Sequence, residues 1–238
     1  RGFSHARRRS VCKRTAGRLG CQMMAIPVWD LPSRVIHWCF PIGVGLMWWT
    51  GETGRMQLHS YVAYVLITLV VTRLMWGLVG SYHSRFVNFM VGPRTVLRYV
   101  REGGDYVGHN PLGALSTMAL LLLLLSQGVS GLFSVDDVSF DGPFAYAFGG
   151  RFIDLATQWH DTNWGILRSL IFLHLGAIAW YQWRKRQPLI QTMWRGWHAT
   201  RIGAAPPISG VLAVAIALVI GAVLAALIAV APAAPSYY

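Results

Sequence analysis

The chain has 238 residues, 54% of them hydrophobic and 13% charged, which is too apolar for an ordinary soluble domain and long enough for four or five membrane spans. Its net charge of +12 comes from basic residues gathered at segment ends, a pattern of membrane orientation that argues against a nucleic-acid partner. Cys12, Cys21 and Cys39 form neither CxxC nor CxxCH, which argues against a thioether-linked cofactor and a cysteine zinc site.

Residues 1–23 carry Arg7, Arg8, Arg9, Lys13, Arg14 and Arg18 and no apolar run long enough for a signal peptide. They are expected to form a basic, disordered extension suited to anionic lipid headgroups, either a cytoplasmic tail or a read-through from upstream of Met23 and Met24. Five apolar stretches follow, at 33–50, 56–80, 112–133, 154–183 and 208–230, each near the ~20 residues that cross a bilayer. The expected fold is an all-α integral membrane protein. A four-helix core occupies 24–186, a cytoplasmic linker 187–207, a fifth transmembrane helix 208–231 and an outer tail 232–238. Trp48, Trp49, Trp76, Trp180 and Trp183 lie near segment ends, where interfacial anchors sit. The fifth stretch has no polar residue able to hold a cofactor and reads as a packing or docking helix, with Gly210 and Gly221 as close-approach points.

Loop charge sets the orientation. Arg85, Arg94, Arg98 and Arg101 fall between spans two and three, and Arg184, Lys185, Arg186, Arg195 and Arg201 between spans four and five. The other side has Arg55 and Arg151 together with Asp136, Asp137 and Asp141. The N-terminus and both basic loops are therefore expected in the cytoplasm, with the C-terminus outside.

Four histidines lie in or at the edge of these spans: His37 in the first, His59 at the head of the second, and His160 and His174 in the fourth. The last two are fourteen residues apart, ~21 Å of helix rise and just under four turns, so both leave one face at two depths. Intramembrane ionisable groups default to a functional reading. Two ligands stacked on one helix, with one on each of two others, suit two haems stacked across a bilayer, each six-coordinate through two imidazoles. Zinc would need its ligands to converge on one point, which the separation forbids. Depth and topology pair His59 with His160 outside and His37 with His174 inside. His174 lies ten residues, ~15 Å, from Arg184, whereas His37 is three residues from Arg34, a mismatch that tilt absorbs in part.

Arg73 follows His59 by fourteen residues on the same face, near the cytoplasmic end, where it either pairs with a haem propionate or snorkels to the interface. Asn110 and Pro111 form an N-cap and first turn, and His109 beside them is a candidate quinone or proton group at the inner mouth. His83 and His198 are expected to be solvated, and His5 lies in the tail. Gly43, Gly45, Gly128, Gly131 and Gly176 suit either close approach of a macrocycle or ordinary helix packing. Asp161 is a candidate to orient an imidazole N–H. Asp136, Asp137, Asp141 and Asp154 form either an outer docking patch for a basic redox protein or a solvated loop.

The stretch Val28-Trp29-Asp30-Leu31-Pro32-Ser33-Arg34-Val35-Ile36-His37-Trp38 resembles the first-helix signature of the bacterial cytochrome b561 family, which includes the cytochrome b subunits of nickel–iron hydrogenases. Leu58-His59, Arg73-Leu74-Met75-Trp76-Gly77, Arg85-Phe86, His109 to Ala114 and Leu173-His174 are similar to it as well, so the resemblance covers about 28–183. It implies a four-helix core with two b haems ligated as paired above, a role for Arg73 near the inner haem, and a quinone site near one haem. It also implies a multi-pass protein of the bacterial inner membrane, in which the loop charges put the N-terminus in the cytoplasm and the C-terminus in the periplasm.

The expected function is transmembrane electron transfer between the quinone pool and an extracytoplasmic redox protein, such as a c-type cytochrome or a dehydrogenase subunit, within a complex of other subunits. The alternative is an anchor or accessory subunit of a respiratory or photosynthetic complex, with largely structural haems. A transporter would need broken helices and a polar midplane cavity, and neither signal is present. No soluble catalytic domain is seen, so enzyme activity extends at most to a quinone-linked oxidoreductase component.

Overall fold

A computed structural model describes residues 26–104, 108–135, 140–198 and 209–232. The basic extension, Asp136, Asp137, Cys12, Cys21, the stretch 199–208 and the tail beyond 232 lie outside them.

Asp30 caps the first long helix, α1 (Leu31–Glu52), by accepting from the Ser33 amide at 2.8 Å, with Pro32 in the first turn, where a missing N–H costs nothing. A tight turn through Gly54 (φ 66°) reverses the chain into α2 (Met56–Val79). The short helices α3 (Phe86–Phe89) and α4 (Pro93–Glu102) follow in the stretch expected as a plain basic loop. α5 (Pro111–Gly131) starts as its sequence indicates, with Asn110 accepting from the Gly113 amide at 2.7 Å and Pro111 in the first turn. α6 (Gly150–Trp183) and α8 (Gly210–Ala229) complete the long helices.

The protein is an all-helical, multi-pass membrane bundle. α2, α5, α6 and α8 are each long and apolar enough to cross a bilayer. Five spans were expected on apolarity, and α1 departs from that expectation. It has the length (22 residues), but Arg34, His37, Glu52 and two prolines dilute its hydropathy.

α2 is the central element, with α1, α5 and α8 against it, and α6 packs on α5. The interior is built from Val70, Trp76, Ala114, Leu121 and Leu167. Gly43 and Gly128 let the helices close around α2: a Cβ on either would lie 2.5 Å from Leu66 or 2.4 Å from Ile67. These two glycines therefore serve helix packing, whereas Gly45 and Gly176 face open space. α8 meets α2 where Gly221 faces Thr68, meets α1 where Gly210 faces Pro32, and buries only Ala213.

The segment 187–207, expected as a linker, is folded in its first half. α7 (Leu189–Arg195) and a two-residue strand β2 (Trp197–His198) turn back onto the start of α1, where β2 pairs antiparallel with β1 (Ile26–Pro27). The Gly196 carbonyl accepts from the Val28 and Trp29 amides at 2.8 and 3.0 Å, and Arg34 donates to the carbonyls of Met193 and Trp194. Tyr99 of α4 meets Tyr181 near the end of α6, hydroxyl to hydroxyl at 2.9 Å. This accounts for the depth mismatch of His37 and His174. α6 is ~51 Å long against ~30 Å of hydrocarbon, and its last turns run alongside α4 and α7. Arg34 binds α7 carbonyls and so does not mark the bilayer edge.

Candidate haem-binding site

α6 and α5 run antiparallel, and Ser116 and Ser130 on α5 are fourteen residues apart, the same interval as His160 and His174 on α6. Ser116 Oγ lies 3.3 Å from Nδ1 of His174, and Ser130 Oγ lies 3.2 Å from Nδ1 of His160. The two imidazoles of α6 are thus held at two levels, one near each end of α5. At the level of Ser130, His160 lies within electrostatic reach of His59 on the first turn of α2. At the level of Ser116, His174 lies within reach of His37 on α1. His59 and His160 are thus within electrostatic reach of one another, as are His37 and His174, both of which also lie within reach of His109. Among the described residues no cluster of three or more metal-binding side chains exists.

Hydrogen bonds fix the tautomer of the pair at the Ser130 level. Nδ1 of His59 is 3.1 Å from the Met47 carbonyl and 3.1 Å from Thr50 Oγ1, whose own proton points at the Leu46 and Met47 carbonyls (2.8 and 3.1 Å). A carbonyl only accepts, so Nδ1 carries the hydrogen and Nε2 keeps its lone pair. The same triangle recurs across the bundle. Nδ1 of His160 is 3.0 Å from the Gln127 carbonyl and 3.2 Å from Ser130 Oγ, and that hydroxyl donates to the Gln127 carbonyl at 3.1 Å. Two neutral imidazoles with Nδ1–H anchored and Nε2 free are the donor set of a bis-histidine haem, so these residues fit the group. Gly131 lies against the His160 ring, and a Cβ there would be 2.8 Å from Cε1. Asn163, fully buried between the levels, donates to Gln127 Oε1 (2.6 Å) and the Leu123 carbonyl (3.0 Å).

The opposite end differs. Nδ1 of His37 is buried with no hydrogen-bond partner, and Nδ1 of His174 has only the Ser116 hydroxyl. Arg73 does not snorkel. It is 6% exposed, lies over the Phe86 ring at 5.5 Å, donates to the Ser84 carbonyl at 3.4 Å, and is within electrostatic reach of His37 and Asp30. His109 is held between Phe89, stacked at 4.2 Å, and Trp29, edge-on at 4.7 Å, with Nδ1 buried and unpartnered. Burial, then the nearby Arg73 guanidinium, lowers its pKa to about 3, so it is neutral.

Asp30 is a residue that sequence reasoning treated only as part of a motif. Its buried carboxylate accepts from Trp76 Nε1 at 3.0 Å, Ser84 Oγ at 2.6 Å and Ser81 Oγ, which ties the start of α1 to the end of α2. Burial raises its pKa, but the hydrogen bonds from Ser81, Ser84 and Ser33 outweigh that and hold it below the usual carboxylate range. Trp76 is consequently no interfacial anchor, because its ring is fully buried and its N–H is used on Asp30. Trp48, Trp49, Trp180 and Trp183 remain exposed. Asp161 is exposed and does not orient His160, whose Nδ1 is taken by Gln127 and Ser130. His83 is half-buried, edge-on to Tyr82, and burial lowers its pKa, which corrects the solvated reading. Asp141 and Asp154 are exposed, and Tyr146 donates to Asp141. Arg168, between His160 and His174, went unremarked in the sequence; its guanidinium lies 5.9 Å from the Trp164 ring centre.

Helices that cross a bilayer and carry imidazoles at two levels define the class: an integral membrane protein of cytochrome type. The family model described as prokaryotic cytochrome b561 matches residues 28–196, most of the chain. The chain belongs to the prokaryotic cytochrome b561 family, and is a multi-pass, haem b-type membrane electron-transfer protein. It is similar to the probable Ni/Fe-hydrogenase B-type cytochrome subunit of Azotobacter chroococcum mcd 1, 26% identical over 213 residues that cover 73% of this chain and 88% of the relative. The protein of the same name from Rhizobium leguminosarum bv. viciae is 24% identical over 221 residues, covering 76% and 91%, and that from Azotobacter vinelandii is 25% identical over 214 residues, covering 73% and 88%. No solved structure gives a significant match.

Proposed function

We propose that the chain carries two b haems, one held by His59 and His160 and one by His37 and His174, and passes electrons across the bacterial inner membrane. The observation that carries this reading is the repeated triangle at Thr50 and Ser130, which engages Nδ1 of both imidazoles and leaves each Nε2 its lone pair. Haem b supplies a one-electron redox couple. The protein supplies axial nitrogens, burial and hydrogen bonds that set the potentials. The basic loops favour a cytoplasmic position for the His37–His174 end and a periplasmic one for the His59–His160 end.

At the inner end, Arg73 supplies a buried cation suited to a propionate, and His109 a neutral imidazole suited to a quinone oxygen. At the outer end, the names of the relatives favour a hydrogenase subunit as the partner. The exposed surface of α8 also favours a docking role beside electron transfer, since only Ala213 of that helix is buried.

Reduced-minus-oxidised spectra with a haem count on the purified chain test the reading, with two b haems per chain expected and fewer refuting it. His160→Ala loses the outer haem and spares the inner one; loss of both, or of neither, would refute the pairing. Reduction of the haems by quinol distinguishes an electron conduit from an anchor.

A further inference from the structure

The two ends of the bundle treat their imidazoles unequally. At the His59–His160 end, each Nδ1–H has a backbone carbonyl at 3.0–3.1 Å and a hydroxyl at 3.1–3.2 Å. The hydroxyl and the carbonyl come from the same helix in each case, three residues apart: Thr50 with Met47 on α1, Ser130 with Gln127 on α5. At the other end His37 Nδ1 has no acceptor, His174 has one hydroxyl at 3.3 Å, and Arg73 lies within electrostatic reach of His37.

These differences act on an iron couple in one direction. A carbonyl accepting from Nδ1–H pulls the imidazole toward imidazolate character, makes Nε2 a stronger donor and favours ferric iron. A nearby buried guanidinium disfavours the extra positive charge of ferric iron. Both effects separate the potentials with the same sign.

We infer that Thr50 and Ser130 are positioning residues that hold the His59–His160 couple at the lower of two potentials, with the His37–His174 couple at the higher. The inference rests on the proposed pairing of the four histidines. Each hydroxyl does two things: it offers Nδ1–H a second acceptor, and it caps the shared carbonyl so that the ring settles in one orientation. The inner pair, without that support, takes its potential from burial and from Arg73.

The test is a spectroelectrochemical titration of the full-length chain in lipid nanodiscs, with haem counted in each sample. Wild type resolves two couples. In His160→Ala or His59→Ala the surviving couple titrates at the higher wild-type potential; survival at the lower one overturns the inference. In the double variant Thr50→Val with Ser130→Ala the haem count stays at two, the lower couple shifts upward and the higher one stays. Thr50→Ser and Ser130→Thr, which keep the hydroxyls, hold the wild-type lower value and serve as the comparison if the double variant folds poorly. An unmoved lower couple, a shift of the higher couple alone, or a wild type whose two couples coincide overturns the inference. A wild-type count below two refutes the underlying pairing instead.

Discussion

A Cβ placed on Gly131 would lie 2.8 Å from Cε1 and 3.2 Å from Nδ1 of His160, so α5 ends in a glycine where α6 sets its imidazole down. The ring cannot simply swing aside, because Gln127 and Ser130 hold it at Nδ1. On the proposed two-haem pairing, Gly131→Ala should displace the ring and lower the haem content from two per chain toward one, with the spectrum of the proposed His37–His174 haem retained. A haem count unchanged from wild type would contradict this.

Asp30 should prove a stability residue of the α1–α2 junction. Asp30→Ala strands the Trp76 N–H and the Ser81 and Ser84 hydroxyls and removes an N-cap, at a cost of about 2–4 kcal/mol. Thermal unfolding in nanodiscs measures it. The pH dependence has a definite sign. A carboxyl whose folded-state value is lowered stabilises the fold above its unfolded value, about 4, and that contribution is lost as pH falls through the folded value. The Asp30→Asn protein should lack this acid-dependent component.

His109 works in the opposite sense to an ordinary surface histidine. With its pKa lowered to about 3 by burial and by Arg73, it takes a proton more readily unfolded than folded. Stability should therefore decline as pH falls from about 6.5 toward 3, and His109→Phe should flatten that decline. Parallel melting curves at pH 7 and pH 5 check this; equal acid sensitivity in both proteins would exclude it.

α8 should be separable from cofactor binding. Gly221 faces Thr68, with room for a methyl group at ordinary contact distance and for little more. Gly221→Leu is expected to pry α8 from α2 while the haem content stays at the wild-type value, which cysteine cross-linking between α2 and α8 and a haem count would report together. Loss of haem would show instead that α8 braces the core.

The two levels of His160 and His174 on α6 were legible because a fourteen-residue interval has a fixed meaning on a helix. Their Nδ1 partners were not, since Thr50 and Ser130 are ordinary polar residues in sequence, and only packing decides which imidazole meets their shared carbonyl. Span limits came within a few residues, because long apolar runs leave little choice. Trp76 was misjudged for a physical reason: an indole near a segment end has two comfortable places, the interface or a buried acceptor, and the acceptor here, Asp30, is forty-six residues away in sequence. α7 was hidden because seven residues between basic clusters carry too little periodicity to distinguish a helix from a loop. Asp161 was misjudged by adjacency, since the next residue on a helix points about 100° away.

The hydrogen bond from the Val28 amide to the Gly196 carbonyl, 2.8 Å long, joins the two residues that also bound the family match. Entry and exit of the four-helix unit are therefore neighbours, and the core is closed like a clasped bracelet. Such a unit tolerates rearrangement of its strand of chain. A circular permutant of residues 28–196 that links residue 196 to residue 28 through a short linker and opens the turn at Gly54 would keep the helix pairs among α1, α2, α5 and α6 intact.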